Sequence, residues 1–137
     1  MKLCESRDDC NTLKLNKGSD AMAASSLRRG DIIMLENAPK PEKNHEQKGY
    51  RPWLVVSDPF LKKFTPFAWV IPFTSEDKSF PTVVKWNPKQ AGTKTKGTLL
   101  VEQMTSLDLD NRSYKLVDHT DNIPEQVFHN IKAILDI

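Results

Sequence analysis

Between residues 28 and 118 the apolar side chains come in short bursts, and that spacing constrains the fold more than any other feature of the chain. RRGDIIMLE, RPWLVVS, FAWVIPFT, FPTVVKW, GTLLVEQMTSLD and RSYKLVD are rich in β-branched and aromatic residues and are separated by Gly, Pro, Asp, Ser and Lys. Such runs read as strands. Short strands at this spacing suggest a small, strongly bent antiparallel barrel. Gly30 and Asp31 introduce the first strand, and Gly97 leads into the GTLLVEQMTSLD strand. Pro52, Pro72 and Pro81 cannot donate to a ladder and are expected at strand starts, bulges or edges.

The C-terminus changes period. In NIPEQVFHNIKAILDI, Val127, Ile131, Ile134 and Leu135 fall at helical spacing, with Phe128 widening the stripe. Asn122 and Glu125 make a capping-box pattern, and Pro124 sits in the first turn, where its missing N–H costs nothing. His129 and Lys132 lie off the stripe, and His129 is expected to be exposed. The fold class is therefore mainly β with a C-terminal helix, an SH3-like small antiparallel barrel. Residues 1–27 show neither period and read as a flexible leader or extension, with Met22 as an alternative start. Residues 28–137 are the folded domain.

Several function classes are excluded. A chain of 137 residues, 38% hydrophobic and 28% charged, fits one globular domain. No apolar run approaches the roughly 20 residues of a membrane helix. Glu5, Arg7, Asp8 and Asp9 break any secretory core near the N-terminus. Cys4 and Cys10 build neither a disulfide framework nor, with the three histidines, a metal site, so reduced thiols, a cytoplasmic location and no metal or cofactor are expected. The net charge is only +2, but Lys78, Lys85, Lys89, Lys94 and Lys96 crowd a stretch without acids. That stretch suits a phosphate backbone, and it equally suits a solvated loop guarding a sheet edge.

Candidate chemistry lies at strand ends, where barrels usually carry function. His45 and Glu46 precede Arg51 in one loop, Thr74 and Ser75 end VIPFTS, Glu102 and Gln103 lie in LLVEQ, and Arg112 opens RSYKLV. In a strongly bent sheet, the start of the Arg51 strand and the end of the antiparallel Thr74 strand meet at one end. Guanidinium, hydroxyl, imidazole and carboxylate around one groove suit cleavage of RNA by its own 2′-hydroxyl. That reaction needs a base, an acid for the leaving 5′-oxygen and positive charge for the phosphorane. Arg51 supplies a fork that donates to two phosphoryl oxygens, Thr74 a hydrogen bond, and His45 or Glu46 a base. Each residue alone also fits a plainer role: Arg51 in a strand-end salt bridge, Thr74 as a turn cap, His45 and Glu46 as solvated loop residues.

RRGDIIML, HEQKGYRPWLVVS, IPFTS, FPTVV, GTLLVEQMTSLD and the closing helix, in this order, resemble the MazF/PemK family of toxin endoribonucleases over residues 29 to 137. The resemblance implies a toxin of a toxin–antitoxin system: a homodimer that cleaves single-stranded RNA at a short sequence without metal, leaving 2′,3′-cyclic phosphate and 5′-hydroxyl ends. It further implies a cognate antitoxin of the MazE/PemI kind, with DNA met only through the toxin–antitoxin complex. On the matching positions, Arg51 becomes the phosphorane stabiliser and Thr74 its hydroxyl partner. Glu46 becomes a base or orienting group, and His45 the histidine of the PemK-like loop. Substrate contacts are expected from Gln47, Lys48, Tyr50, Ser75, Phe80, Glu102 and Gln103, with Trp53 and Trp86 in the core. Leu100 stands where the PemK-like branch has a catalytic arginine, so that branch's full acid–base set does not transfer and cleavage rests on Arg51 and Thr74. The competing class is a CcdB-like toxin, which clamps DNA gyrase on the same small barrel without chemistry. A non-catalytic SH3-like binding module is the blandest alternative.

Overall fold

In a computed structural model, which describes residues 27–37 and 49–137, the apolar bursts become seven antiparallel strands. They are β1 (Asp31–Asn37), β2 (Gly49–Val55), β3 (Phe67–Thr74), β4 (Val83–Trp86), β5 (Gly97–Leu100), β6 (Thr105–Asp108) and β7 (Lys115–His119). The sheet order is β4-β5-β3-β2-β1-β7, and β6 also pairs with β3. Helices α1 (Pro59–Phe64), α2 (Pro88–Ala91) and α3 (Glu125–Leu135) complete the described residues.

The GTLLVEQMTSLD segment is two strands rather than one. Phe73 pairs with Leu99, but Val70 pairs with Thr105, so three residues are inserted where the unbroken register would require none. The insertion is a 3-10 turn, Val101–Gln103, and it throws Glu102 out of the sheet. The two short helices carry no stripe long enough to be read from sequence. Local caps fix them: Asp58 accepts from the Phe60 N–H at 2.8 Å, Asn87 accepts from Lys89 and Gln90, and a proline follows each cap.

Two buried clusters lie on opposite faces of the central strands. Ile32, Leu54, Ile71, Phe73, Val84, Trp86, Leu99 and Val127 fill the barrel under α3. Leu27, Ile33, Leu35, Trp53, Val55, Val70, Leu107 and Leu109 form the second cluster. Central strands buried on both faces explain why WLVV and VIPF read as continuous apolar runs rather than alternating ones, while Phe67 and Trp69 at the start of β3 are each 41% exposed. Leu27, assigned to the leader by sequence, packs into the second cluster at 5% exposure; residues 1–26 lie outside the described residues.

Polar side chains close the gap between the edge strands β4 and β7. Asp118 accepts from the Lys94 and Thr95 N–H groups at 2.8 and 2.9 Å and from the Thr95 hydroxyl at 3.0 Å. Thr120 donates its hydroxyl to the Ala91 carbonyl at 2.6 Å, and Asn122 its amide to the Gln90 carbonyl at 2.9 Å. Asn122 is thus spent on closure rather than on capping. The residue before α3 is Pro124, with no side-chain cap, so the capping box expected from Asn122 and Glu125 does not form. The apolar stripe of α3 is also shorter in effect than it reads: Val127 is fully buried, while Ile134 and Leu135 are 46% and 53% exposed beyond the barrel. Arg29 braces this end by donating to the Val56 carbonyl at 2.9 Å while lying 5.7 Å from the Phe128 ring centre.

Candidate active site

Pro52 and Pro72 lie within β2 and β3 at the local edge where the β2–β3 pairing ends, and Pro81 falls in the turn before β4. Their position opens the site. The β2–β3 pairing runs Val55↔Val70, Leu54↔Ile71, Trp53↔Pro72 and goes no further, and a proline has no N–H with which to extend it. Carrying the register two residues on sets Arg51 opposite Thr74. There the guanidinium takes over from the ladder: Arg51 Nη1 donates to the Phe73 carbonyl at 3.3 Å. Arg51 is half-buried.

Thr74 is 4% exposed, and its hydroxyl accepts from the Glu76 N–H at 3.2 Å. This turn orients the oxygen and leaves its proton available to donate. Ser75 and Glu76 follow, both exposed. A hydrogen bond from Lys78 holds the Glu76 carboxyl below the ordinary range, the Lys78 charge adds to it, and the Arg51 charge contributes further. Arg51 and Thr74, expected to share a groove, are thus neighbours at one barrel end. Arg112 lies in the bend before β7, half-buried.

The other expected residues are distributed differently. His45, Glu46, Gln47 and Lys48 lie outside the described residues. Tyr50 is 61% exposed, but strand alternation turns it to the face opposite Arg51. Trp53 and Trp86 are core residues: Trp53 is 2% exposed, and Trp86 meets Phe73 edge-on at 5.2 Å while its indole donates to Thr93. Phe80 is 56% exposed, and Glu102, on the 3-10 insertion, accepts from the Thr82 hydroxyl at 2.7 Å. Gln103 follows it, half-buried. Glu102 therefore anchors the Phe80–Thr82 segment. Among the described residues no group of three His, Cys, Asp or Glu could hold a metal ion.

Sequence reasoning missed how three residues are set around Thr74. Gly97 abuts its carbonyl, Thr98 pairs with it across β3 and β5, and Lys85 pairs with Thr98 in turn. Gly97 left a signal as a glycine heading a strand, and Lys85 as one lysine of an acid-free stretch. Their placement depends on register.

With this geometry in place, the likenesses to known proteins are specific. The family described as PemK-like, MazF-like toxin of type II toxin-antitoxin system matches residues 28–137. Endoribonuclease EndoA of Bacillus subtilis (strain 168) is 27% identical over 103 residues, spanning 74% of this chain and 87% of that protein. The crystal structure of MazF from Deinococcus radiodurans (Form-I) superposes with a TM-score of 0.69 at 24% identity, over 82% of this chain and 98% of that one. A MazE-MazF crystal structure from the same organism (Form-II) gives 0.58 at 25% identity, over 80% and 92%. Among the described residues no helix is long and apolar enough to cross a membrane.

Proposed function

The chain belongs to the PemK-like, MazF-like toxins of type II toxin–antitoxin systems, and from that premise we propose that it is a metal-independent endoribonuclease cleaving single-stranded RNA at a short sequence. The observation that carries this reading is the meeting of Arg51 and Thr74 where the β2–β3 ladder stops.

The reaction is transesterification within the substrate. A base takes the proton of the 2′-hydroxyl, the 2′-oxygen bonds to phosphorus, and the P–O5′ bond breaks as the 5′-oxygen takes a proton from water. Arg51 acts on the charge that develops in between, because a guanidinium fork donates to two phosphoryl oxygens at once. A guanidinium holds its proton too firmly to serve as the acid, so its role is electrostatic. Thr74, with its oxygen already engaged by the Glu76 N–H, donates outward to the same phosphoryl group. The base comes from the segment ahead of β2, through Glu46 or His45. Leu100 is 1% exposed within β5 and contributes no group, so nothing replaces the second arginine of the PemK-like branch at that position.

The partners follow from the same reading: RNA as substrate, a second copy in a homodimer, and a cognate antitoxin that blocks the groove in a cytoplasmic complex. The MazE-MazF assembly among the similar structures supports the antitoxin.

The decisive experiment incubates the protein and its Arg51→Ala variant with a long mixed-sequence RNA in EDTA, then sequences and types the cut ends. Site-preferred cuts ending in 2′,3′-cyclic phosphate, absent with the variant, are expected. Intact RNA in both samples overturns the reading and points to a protein target such as gyrase.

A further inference from the structure

Arg51 and Thr74 begin a row that continues across the barrel. Thr74 is paired with Thr98, and Thr98 with Lys85. Directly paired residues of antiparallel strands project to the same face. The next row, Phe73, Leu99 and Val84, projects into the barrel core. The face that carries Arg51 and Thr74 therefore runs through buried Thr98 to Lys85, whose side chain is 63% exposed. With strands about 4.8 Å apart, Lys85 stands roughly 14 Å from Arg51 along the row. That is too far for both cations to hold one phosphoryl group, and a suitable span for two groups on one strand of RNA.

The turn after Thr74 adds a second observation. Glu76 and Asp77 are both exposed, and each is held by a lysine: Glu76 by Lys78 at 2.7 Å, and Asp77 by Lys85. Two carboxylates on the rim of a groove for a polyanion would repel it if they stayed free. Paired as they are, they occupy the cations that a phosphate chain would seek.

We propose that Lys85 is a positioning residue for RNA: it binds a phosphate flanking the scissile one, runs the strand along the Arg51–Thr74–Thr98–Lys85 row, and keeps Asp77 as a resident counter-ion that this phosphate displaces. The proposal rests on the ribonuclease reading above and adds to it the track that the substrate follows. Lys85 touches no reacting atom; it fixes where the strand lies and so which phosphate reaches Arg51.

The test uses the full chain and an uncleavable mixed-sequence 2′-O-methyl RNA 20-mer, with binding followed by fluorescence anisotropy across a salt series. For Lys85→Gln, affinity falls about 3- to 10-fold, and the slope of log K against log salt drops by about 0.7, the share of one phosphate contact on a single strand. Asp77→Asn tightens binding several-fold, a gain that misfolding cannot produce, and this gain vanishes when Lys85→Gln is also present. Lys89→Gln, an exposed lysine off the row, leaves the slope unchanged. In cleavage assays most of the Lys85→Gln loss in kcat/KM falls on KM. An unaltered slope in Lys85→Gln, or an Asp77→Asn gain that survives it, overturns the proposal. Cleavage without this coupling leaves the enzyme reading standing and removes Lys85 from it. Coupling without cleavage keeps the phosphate track and overturns the chemistry. Absence of both binding and cleavage overturns both.

Discussion

Gly97 is packed against the backbone of Thr74 so closely that a Cβ on it would lie 2.6 Å from the Thr74 carbonyl oxygen. It also sits at φ +129, a region that side-chain-bearing residues rarely adopt. Gly97→Ala must therefore strain its own backbone and push β3 away at Thr74, the residue proposed to bond the phosphoryl group. The variant should lose about 1–3 kcal/mol of stability in urea unfolding. Its cleavage rate, measured at a temperature where it is still folded, should fall further than unfolding explains. Full activity in the folded variant would show that the position of Thr74 does not matter.

Thr74 itself separates the two uses of a hydroxyl. Its oxygen orders the turn by accepting from Glu76, and in the proposed reaction its proton goes to the phosphoryl group. Thr74→Ser keeps both and should retain cleavage within about 10-fold, while Thr74→Val keeps shape but removes both and should cost about 10²-fold or more. The Glu76 N–H freed in the valine variant is near the surface and can bond to water, so the melting temperature should move little. Equal rates in the two variants would assign Thr74 to the turn alone.

How much of this was legible in the chain depends on distance along it. The strands announced themselves through β-branched runs and turn residues, and Arg51 and Thr74 could be placed at one barrel end because consecutive antiparallel strands bring start and finish together. The three-residue insertion at Val101–Gln103 could not be read, because LLVEQMTSL has no glycine or proline to mark the break. Nor could the fate of Asn122: three residues before Glu125 it has the pattern of a cap, and only the approach of Gln90, far away in sequence, claims its amide. Lys85 looked like one lysine among five until the register set it two strands from Thr74.

His119 spans two carboxylates, with Nδ1 2.6 Å from Asp31 and Nε2 2.7 Å from Asp121. Asp31 is 2% exposed, and its second oxygen accepts from the Arg28 N–H at 2.8 Å. A buried carboxylate deprived of one of its two donors is costly. His119→Phe, which keeps the ring volume, should therefore lose about 1–3 kcal/mol in chemical denaturation. Most of that loss should disappear when Asp31 is replaced by Asn in the same chain, since the uncompensated charge is then gone. Additive losses in the double variant would mean that the pair is not coupled. The site lies at the barrel end away from Arg51, so the folded variant should still cleave RNA.

Asp118 supplies the acid sensitivity of barrel closure. Burial alone would raise its pKa, but the Thr95 N–H and hydroxyl, the Lys94 N–H and the His119 N–H outweigh burial and hold it below the ordinary carboxylate value. A carboxyl depressed in the folded state stabilises the fold above its unfolded pKa, near 4, and loses that contribution as pH falls through the folded value. The wild-type protein should therefore melt at progressively lower temperature below about pH 4. Asp118→Asn leaves the three donors on Oδ2 a neutral amide oxygen and turns an NH2 donor toward the His119 N–H that Oδ1 accepts at 3.1 Å, so it should be less stable at pH 7. The gap between the two melting curves should narrow as the pH drops, because protonated Asp118 and Asn are nearly equivalent there. Melting temperatures from pH 7 to pH 2.5 check this, and a gap independent of pH would show that the carboxylate charge does not hold the Lys94–Thr95 loop on β7.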